Sequence, residues 1–261
     1  MAMILTNWSD FCRESDPDEY LRKSDCERTL PLVLQRLKGV PQRPDKHPEG
    51  DVWNHTLLVV KVARELSLRF NLTEDDQKLL LLASLTHDLG KITTTEVIPD
   101  GSIRSWKHEQ PEVFLPLYNQ LELDWSIPTV MKERLSALVQ LHLPNSVTQG
   151  TEATAKEVKT YLRRLEEARL PFILARLLVA ADQSGRLRGF SDPLEKWEPI
   201  IEGIAKASAA KSEVVSLVSG ADLIELGFKP SPEFKKFLMK ADELQKAGLD
   251  REQILDQLKQ S

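Results

Sequence analysis

The sequence predicts an all-α fold, and three observations carry that reading. Apolar residues recur at helical spacing through most of the 261 residues. No segment shows the alternate-residue pattern of a half-buried strand. Cap and stop residues fall where the periodic runs begin and end.

Asp16 as a cap and Pro17 in the first turn predict a short helix over 16–23. "RTLPLVLQRLKGV" predicts a second, ending at Gly39. The turn-rich loop "PQRPDKHPEGD" follows. Asp51 is placed as the N-cap of a helix running to residue 70, with apolar positions 53, 57, 60, 63, 66 and 70 and His55 in its first turn. "TEDDQKLLLLASLTHDLG" starts at Thr73–Asp76 and stops at Gly90, and its leucines lie on almost every face, which predicts burial on most sides. Residues 93–111 read as polar loop, with Asp100-Gly101 marking a tight turn and, at most, a two-residue hairpin.

"PEVFLPLYNQL" predicts a helix bent at Pro116. "SIPTVMKERLSALVQLHLP" starts at Ser126 and Pro128 and stops at Pro144, with His142 as its last helical residue. Thr154 and Glu157 form a capping box ahead of "KTYLRRLEE". "PFILARLLVAADQSG" begins at Pro171 and ends by Gly185. Residues 194–218 read as helix, "SGADLIELG" and "SPEFKKFLMKADELQKAG" as a small pair, and "DREQILDQLK" as a last helix. The expected division is an N-terminal arm over 1–27, a main domain over 28–208 and a small helical module over 209–261. Its weakest boundary is "AKASAAKSE", residues 205–213.

Composition excludes several classes. Hydrophobic residues make up 41% and charged residues 29%, an ordinary globular balance. No apolar run approaches the ~18 residues of a membrane span, so no membrane partner is expected. "MAMILTNWSDF" lacks a secretory pattern, and a cytoplasmic location is the expectation. Cys12 and Cys26 make neither a disulfide framework nor a zinc site. The net charge of −5 argues against bulk electrostatic binding to nucleic acid but leaves room for a local basic groove.

The five histidines and two aspartates carry the functional signal. His55 sits in a first helical turn. His87 and Asp88 close a leucine-rich helix. His142 follows Leu135, Leu138 and Val139 on one face, and Asp182 follows Leu174 and Leu178. His108 lies where a loop enters a helix. Each is the polar end of an apolar stripe, so helices that bury their stripes together bring these ends toward one another. A lone histidine at a helix end is ordinarily a cap or a satisfied core residue. An adjacent His-Asp pair is more demanding, because a buried carboxylate needs partners. A cavity shared by four imidazoles and two carboxylates needs cations, and its ligand types suit zinc, iron, nickel, cobalt or manganese better than calcium. His47 reads as a near-site loop residue. Trp53, Trp106, Trp125 and Trp197 read as packing residues rather than base platforms.

"GVPQRPDKHPEGDVWNHTLLVV" and "SLTHDLGK" resemble the HD superfamily of metal-dependent phosphohydrolases, and within it the HD region of bacterial CCA-adding tRNA nucleotidyltransferases. "AADQSGR" is similar to the family's late aspartate segment, and "GADLIELGFKPSPEFKKFLMKADELQKAG" resembles those enzymes' tail. The tail departs at Ser231-Pro232, where a Gly-Pro pair is usual, and at a lysine replacing a later glycine. No segment resembles the nucleotidyltransferase head, so nucleotide addition is not expected, and a separate partner protein supplying a head is one possibility. The resemblance covers roughly residues 28–258 and implies an HD helical bundle with a small helical C-terminal extension.

It also implies that His55, His87, Asp88 and Asp182 are metal ligands. His108 and His142 match the additional ligands of two-metal members, with Asp88 as the bridge. One or two divalent ions (Ni, Mn, Co, Fe, Zn or Mg) are the implied cofactor. The implied substrate is a nucleotide or RNA-end phosphoester, such as a 2′,3′-cyclic phosphate or a 2′-nucleotide, hydrolysed by metal-activated water. Asp88 and Lys91 are the candidate catalytic residues. Lys91 and Arg186 are candidate phosphate contacts, with a surface lysine and an ordinary salt bridge as their plainer readings. Glu49 and Asp51 could orient His55 or a water, the capping role being the simpler one for Asp51. Two alternatives stay open: a nucleotidase or triphosphohydrolase acting on free nucleotides, and a non-catalytic tRNA- or RNA-binding module using basic stretches such as "TYLRRLEEAR" and "KPSPEFKKF".

Overall fold

The structure is a computed structural model and describes residues 7–213, 216–229 and 233–259. Ser231-Pro232 and part of "KPSPEFKKF" lie outside them. The chain divides into two compact units, Met1–Ile201 and Glu202–Ser261.

Three helices form the centre of the first unit: α4 (Val52–Arg69), α5 (Glu74–Thr86) and α11 (Phe172–Ser184), each packed on the other two. Leu79 to Leu82 are all buried on α5, as are Leu57, Val59 and Val60 on α4 and Leu174, Leu177 and Leu178 on α11. α5 is thus enclosed on nearly all sides, as its leucines predict. The close approach of α11 to α4 requires a residue without a side chain: a Cβ at Gly185 would sit 2.7 Å from Val59 Cγ2.

Around this trio lie α1 (Trp8–Arg13), α2 (Pro17–Cys26), α3 (Leu32–Gln35), α7 (Pro111–Trp125), α8 (Lys132–Gln140), α9 (Asn145–Gln149) and α10 (Ala155–Glu167). A one-turn α6 (Lys91–Thr94) leads into β1 (Thr95–Val97) and β2 (Ile103–Ser105), which are antiparallel with Thr95 opposite Ser105. α12 (Glu198–Glu213) follows a 3₁₀ turn and crosses the division between units. In the second unit α13 (Gly220–Glu225), α14 (Phe234–Lys246) and α15 (Arg251–Lys259) enclose Val218, Leu223, Ala241, Ile254 and Leu258.

Several boundaries differ from the sequence expectation. The second helix shrinks to α3. Pro31 lacks an N–H and biases residue 30 away from helix, so the helix starts only after it. Gly39 ends the following turns with φ +71, and its N–H donates to Asp51 Oδ2 at 2.7 Å. Asp51 Oδ1 meanwhile accepts from Asn54 N, so one carboxylate caps α4 and ties the preceding loop to it. Ser126 does not start a helix; it ends α7 in the left-handed region, and a 3₁₀ turn over Thr129–Met131 precedes α8. α8 stops at Gln140, leaving His142 just beyond the helix. Pro144 has no N–H to offer the Gln140 carbonyl, and the Leu141 carbonyl accepts instead from Tyr161 Oη.

The capping box of α10 is half formed. Thr154 accepts from Glu157 N, but the Glu157 carboxylate accepts from Ser146 N. The polar loop holds the β1–β2 hairpin with a loop longer than two residues. Gly101 N donates to the Ile98 carbonyl, Ser102 N to Asp100 Oδ1, and Gly101 takes φ +82.

Gly90 is not a left-handed stop, since its φ is −61. A Cβ there would lie 2.0 Å from the His108 carbonyl oxygen and 2.9 Å from its Cα. The glycine lets the segment carrying His108 lie directly on the turn carrying His87 and Asp88. Gly90→Ala is expected to destabilise the protein by roughly 1–3 kcal/mol, the range for overpacking a tight interior, measured by urea denaturation against the parent chain.

Candidate metal centre

All six candidate ligands converge on one end of the central trio. His55 comes from the first turn of α4, His87 and Asp88 from the turn after α5, and Asp182 from the last turn of α11. His108 follows β2 and His142 follows α8. All six are buried, five of them at 2% exposure or below and His108 at 6%.

The atoms meet closely. His55 Nε2 lies 3.0 Å from Asp182 Oδ1 and 3.8 Å from Asp88 Oδ2. His87 Nε2 lies 3.2 Å from Asp88 Oδ2 and 3.9 Å from Asp182 Oδ1. His108 Nε2 is 3.0 Å from Asp88 Oδ1. The imidazoles of His55, His87, His142 and His108 follow one another edge to face at centroid spacings of 5.4, 5.3 and 5.5 Å. Two overlapping donor sets result, His55–His87–Asp88 and Asp88–His108–His142, each with ligand atoms within 4.8 Å of one another. Asp88 belongs to both.

The backbone sets the tautomers. Nδ1 of His87 faces the Ser84 carbonyl at 2.9 Å, Nδ1 of His108 the Ser105 carbonyl at 3.0 Å and Nδ1 of His142 the Val139 carbonyl at 2.5 Å. A carbonyl only accepts, so each Nδ1 carries the proton and a neutral ring presents its Nε2 lone pair inward. The Nε2 atoms of His87 and His108 are buried without a hydrogen-bond partner. Unpartnered imidazole lone pairs beside two buried carboxylates are what a divalent cation satisfies, so the donor set fits such an ion.

His55 is held differently. Its Nδ1 lies 2.7 Å from Glu49 Oε1, which is also 2.7 Å from His47 Nδ1. The Glu49 side chain is 1% exposed. Burial opposes its ionisation, but the two imidazoles outweigh that and bring its pKa down to about 2. For His55 burial disfavours the charge, yet Asp182 and Glu49 raise its pKa on balance. Burial likewise opposes ionisation of Asp88 and Asp182. His87 and Lys91 nevertheless hold Asp88 well below the usual carboxylate range, and Arg186 and His55 do the same for Asp182. Burial, reinforced by His87 and His108, pushes His142 down to about 3, so this ring is neutral near pH 7.

Lys91 Nζ stands 2.7 Å from Asp88 Oδ2 and 2.9 Å from Gln42 Oε1. Arg186 donates from Nη2 to Asp182 Oδ2 at 2.8 Å. Both cations line a cleft of about 610 Å³ that also reaches His47 and His108. Arg186 is therefore in its plainer role, as an ion-pair partner, and at the cleft wall too. Asp51 is a cap and does not enter the cluster. Trp53, Trp125 and Trp197 are buried, and Trp106 is 65% exposed beside Arg104.

The sequence reading assigned Gln42 no role, because nothing marks a glutamine in a turn-rich loop as the partner of a lysine 49 positions later. It also treated Gly90 only as a stop. The buried carbonyls that orient three imidazoles leave no sequence signal, since every residue carries one.

A buried imidazole–carboxylate cage at the end of an all-α bundle, opening on a cationic cleft, defines the class of a metal-dependent phosphoester hydrolase. The HD domain family matches residues 52–186, from the start of α4 to Arg186, and the chain belongs to that family of metal-dependent phosphohydrolases. Among curated proteins the chain is 31% identical over 200 residues to the multifunctional CCA protein of Burkholderia multivorans, an alignment covering 75% of this chain and 44% of the relative. It is 33% identical over 197 residues to that of Cupriavidus metallidurans, covering 71% and 43%. The chain spans less than half the length of these relatives.

Two outcomes follow from this geometry. Glu49→Gln is expected to weaken binding of manganese or nickel about 10- to 100-fold, the usual cost of losing an outer-sphere partner, as read by isothermal titration calorimetry. In metal-free protein, the depressed pKa of His142 means the unfolded chain binds its proton first. Its contribution to stability is complete above about pH 6.5 and is lost as pH falls toward 3. His55, with its raised pKa, acts in the opposite sense. His142→Gln should therefore flatten the fall in urea midpoint between pH 6.5 and 4 relative to the parent protein.

Proposed function

We propose that the chain hydrolyses phosphoesters at a nucleotide or RNA end, of the 2′,3′-cyclic phosphodiesterase, 2′-nucleotidase or phosphatase type. His55, His87, Asp88 and Asp182 would hold one divalent ion, and Asp88, His108 and His142 a second. A divalent ion in that cage supplies Lewis acidity, which polarises a phosphoryl oxygen and acidifies water.

The protein's own residues supply the rest. The carbonyls of Ser84, Ser105 and Val139 keep the protons on Nδ1 of three histidines, so Nε2 stays a donor throughout the cycle. Glu49 holds His55 in place. Lys91 and Arg186 sit where the buried acids meet the cleft, each tethered to an aspartate by one short contact. An incoming phosphate can be neutralised by both without either leaving its carboxylate, because an ammonium has three protons to donate and a guanidinium five. Burial of the cluster keeps bulk water from competing for these contacts.

The observation that carries this reading is the chemistry on the two sides of one wall: buried acids ringed by imidazoles inside and, among the described residues, cations with no acid lining the cleft outside. That polarity suits an anionic substrate delivered to a cation cage. The likeness to multifunctional CCA proteins favours an RNA-end phosphoester over other phosphoesters.

Asp88→Ala removes the carboxylate shared by both donor sets. It is expected to lower turnover of bis-p-nitrophenyl phosphate and of a 2′,3′-cyclic nucleotide at least 1,000-fold, on the order of the loss of a group essential to the transition state, with the helical circular dichroism unchanged. Full activity in that variant would remove the mechanism.

A further inference from the structure

The cleft over the cluster holds more positive charge than one phosphate needs. Besides Lys91 and Arg186 it is lined by Arg43, Lys46 and Arg188, and among the described residues no aspartate or glutamate lines it. This is unlike the chain as a whole, which carries a net charge of −5. It is also unlike the cleft between α1 and α5, where Glu74 and Asp75 accompany the cations. The three outer cations come from two loops far apart in sequence, residues 42–47 and 185–191. Arg188 Nη2 donates to the Asp45 carbonyl and joins them. Arg43 is held in a fork by Asp45, at 3.1 and 2.6 Å, and Lys46 makes no ion pair among the described residues.

The second loop is built rather than slack. Ser184 Oγ bonds both N–H and C=O of Ser191, at 3.0 and 3.3 Å, closing the segment between them, and Gly189 takes φ +86 to turn it. The loop presents Phe190, which lines the same cleft and is 60% exposed. Arg69 stands 5.8 Å from the Phe190 ring centroid, a cation–π contact that supports the ring. A single exposed phenylalanine is ordinary on a protein surface. One fixed in a pinned loop at the lip of a cleft whose charged lining residues are all cations has the composition of a single-strand groove, in which cations follow the backbone and a ring stacks a base.

Resting on the hydrolase reading above, we propose that Arg43, Lys46, Arg188 and Phe190 form a strand subsite. It binds a single-stranded RNA next to the terminal phosphoester, with the three cations on backbone phosphates and Phe190 stacked on a base. The preferred substrate is then an oligonucleotide end and not a free nucleotide.

The test uses the full chain with added manganese and three substrates: bis-p-nitrophenyl phosphate, uridine 2′,3′-cyclic monophosphate, and an RNA decamer ending in a 2′,3′-cyclic phosphate. Binding of the decamer is followed in parallel by fluorescence anisotropy. The decamer is expected to exceed the mononucleotide in kcat/KM by at least tenfold. Its affinity should fall with salt at a log–log slope of about −2, from roughly −0.7 per phosphate contact on a single strand. Lys46→Ala with Arg188→Ala should cut that slope by about 1.4, and Phe190→Ala should weaken decamer binding about tenfold, both with the bis-p-nitrophenyl phosphate rate unchanged. Equal kcat/KM for decamer and mononucleotide, with binding indifferent to these substitutions, would overturn the subsite while leaving the hydrolase reading standing. Salt-steep, substitution-sensitive binding of the decamer without turnover of any substrate would support the subsite and overturn the hydrolase reading.

Discussion

Asp88 is the point on which the structure turns. Its carboxylate lies within 3.2 Å of His87, Lys91 and His108, and it is nearly excluded from solvent. A carboxylate in that position is costly to bury alone, and removing one partner of a buried charge set typically costs about 3–5 kcal/mol. The partners come from the turn after α5, from α6 and from the segment after β2. Lys91 donates to Asp88, and a cation held by Asp88, His87 and His108 would fix how their elements lie on the central trio. Asp182 repeats the arrangement across α4 and α11, through His55 and Arg186. The interactions that make the cage chemically useful are the same ones that let an apolar bundle tolerate it.

Leucine packing and polar contacts divide the labour by position along the helices. The buried leucines of α5 hold its middle by area, with no directional demand. At its C-terminal end the helix stops at Thr86, and His87 and Asp88 point out of the turn into the cluster. Gly90 then admits the His108 backbone. A side chain at that position would push the two ligand-bearing segments apart, separating the two donor sets that share Asp88. The requirement there is steric, not conformational.

This explains which parts were legible in the sequence. The helices of the central trio were, because apolar stripes and caps such as Asp51 and Thr73 act locally. The convergence of His55, His87, Asp88, His142 and Asp182 was also accessible, since each ends an apolar stripe that has to face the core, whereas His108 sits in a turn after β2 with no such stripe. Helix ends decided by distant partners were not. α8 stops where Tyr161 takes the Leu141 carbonyl, and Glu157 leaves its capping box for Ser146 N. The short α3 was legible in principle, since Pro31 announces it. The hairpin was under-read because three residues per strand are too few to show alternation.

The deepest regularity is one of charge. Acidic groups are turned inward at the helix ends and cations line the cleft facing solvent, although acids outnumber bases over the chain. Lys91 and Arg186 stand at the boundary, each holding an inward carboxylate while lining the outward cleft. On the proposed function, an anionic substrate entering past them would meet positive side chains that are already held in place, so little side-chain ordering would remain to oppose binding. The same two residues offset the charge of the buried acids, which keeps the cage folded before any cation arrives. On the proposed function, stability of the bundle and attraction of the substrate would both draw on these two ion contacts, and a change at Lys91 or Arg186 would act on both together.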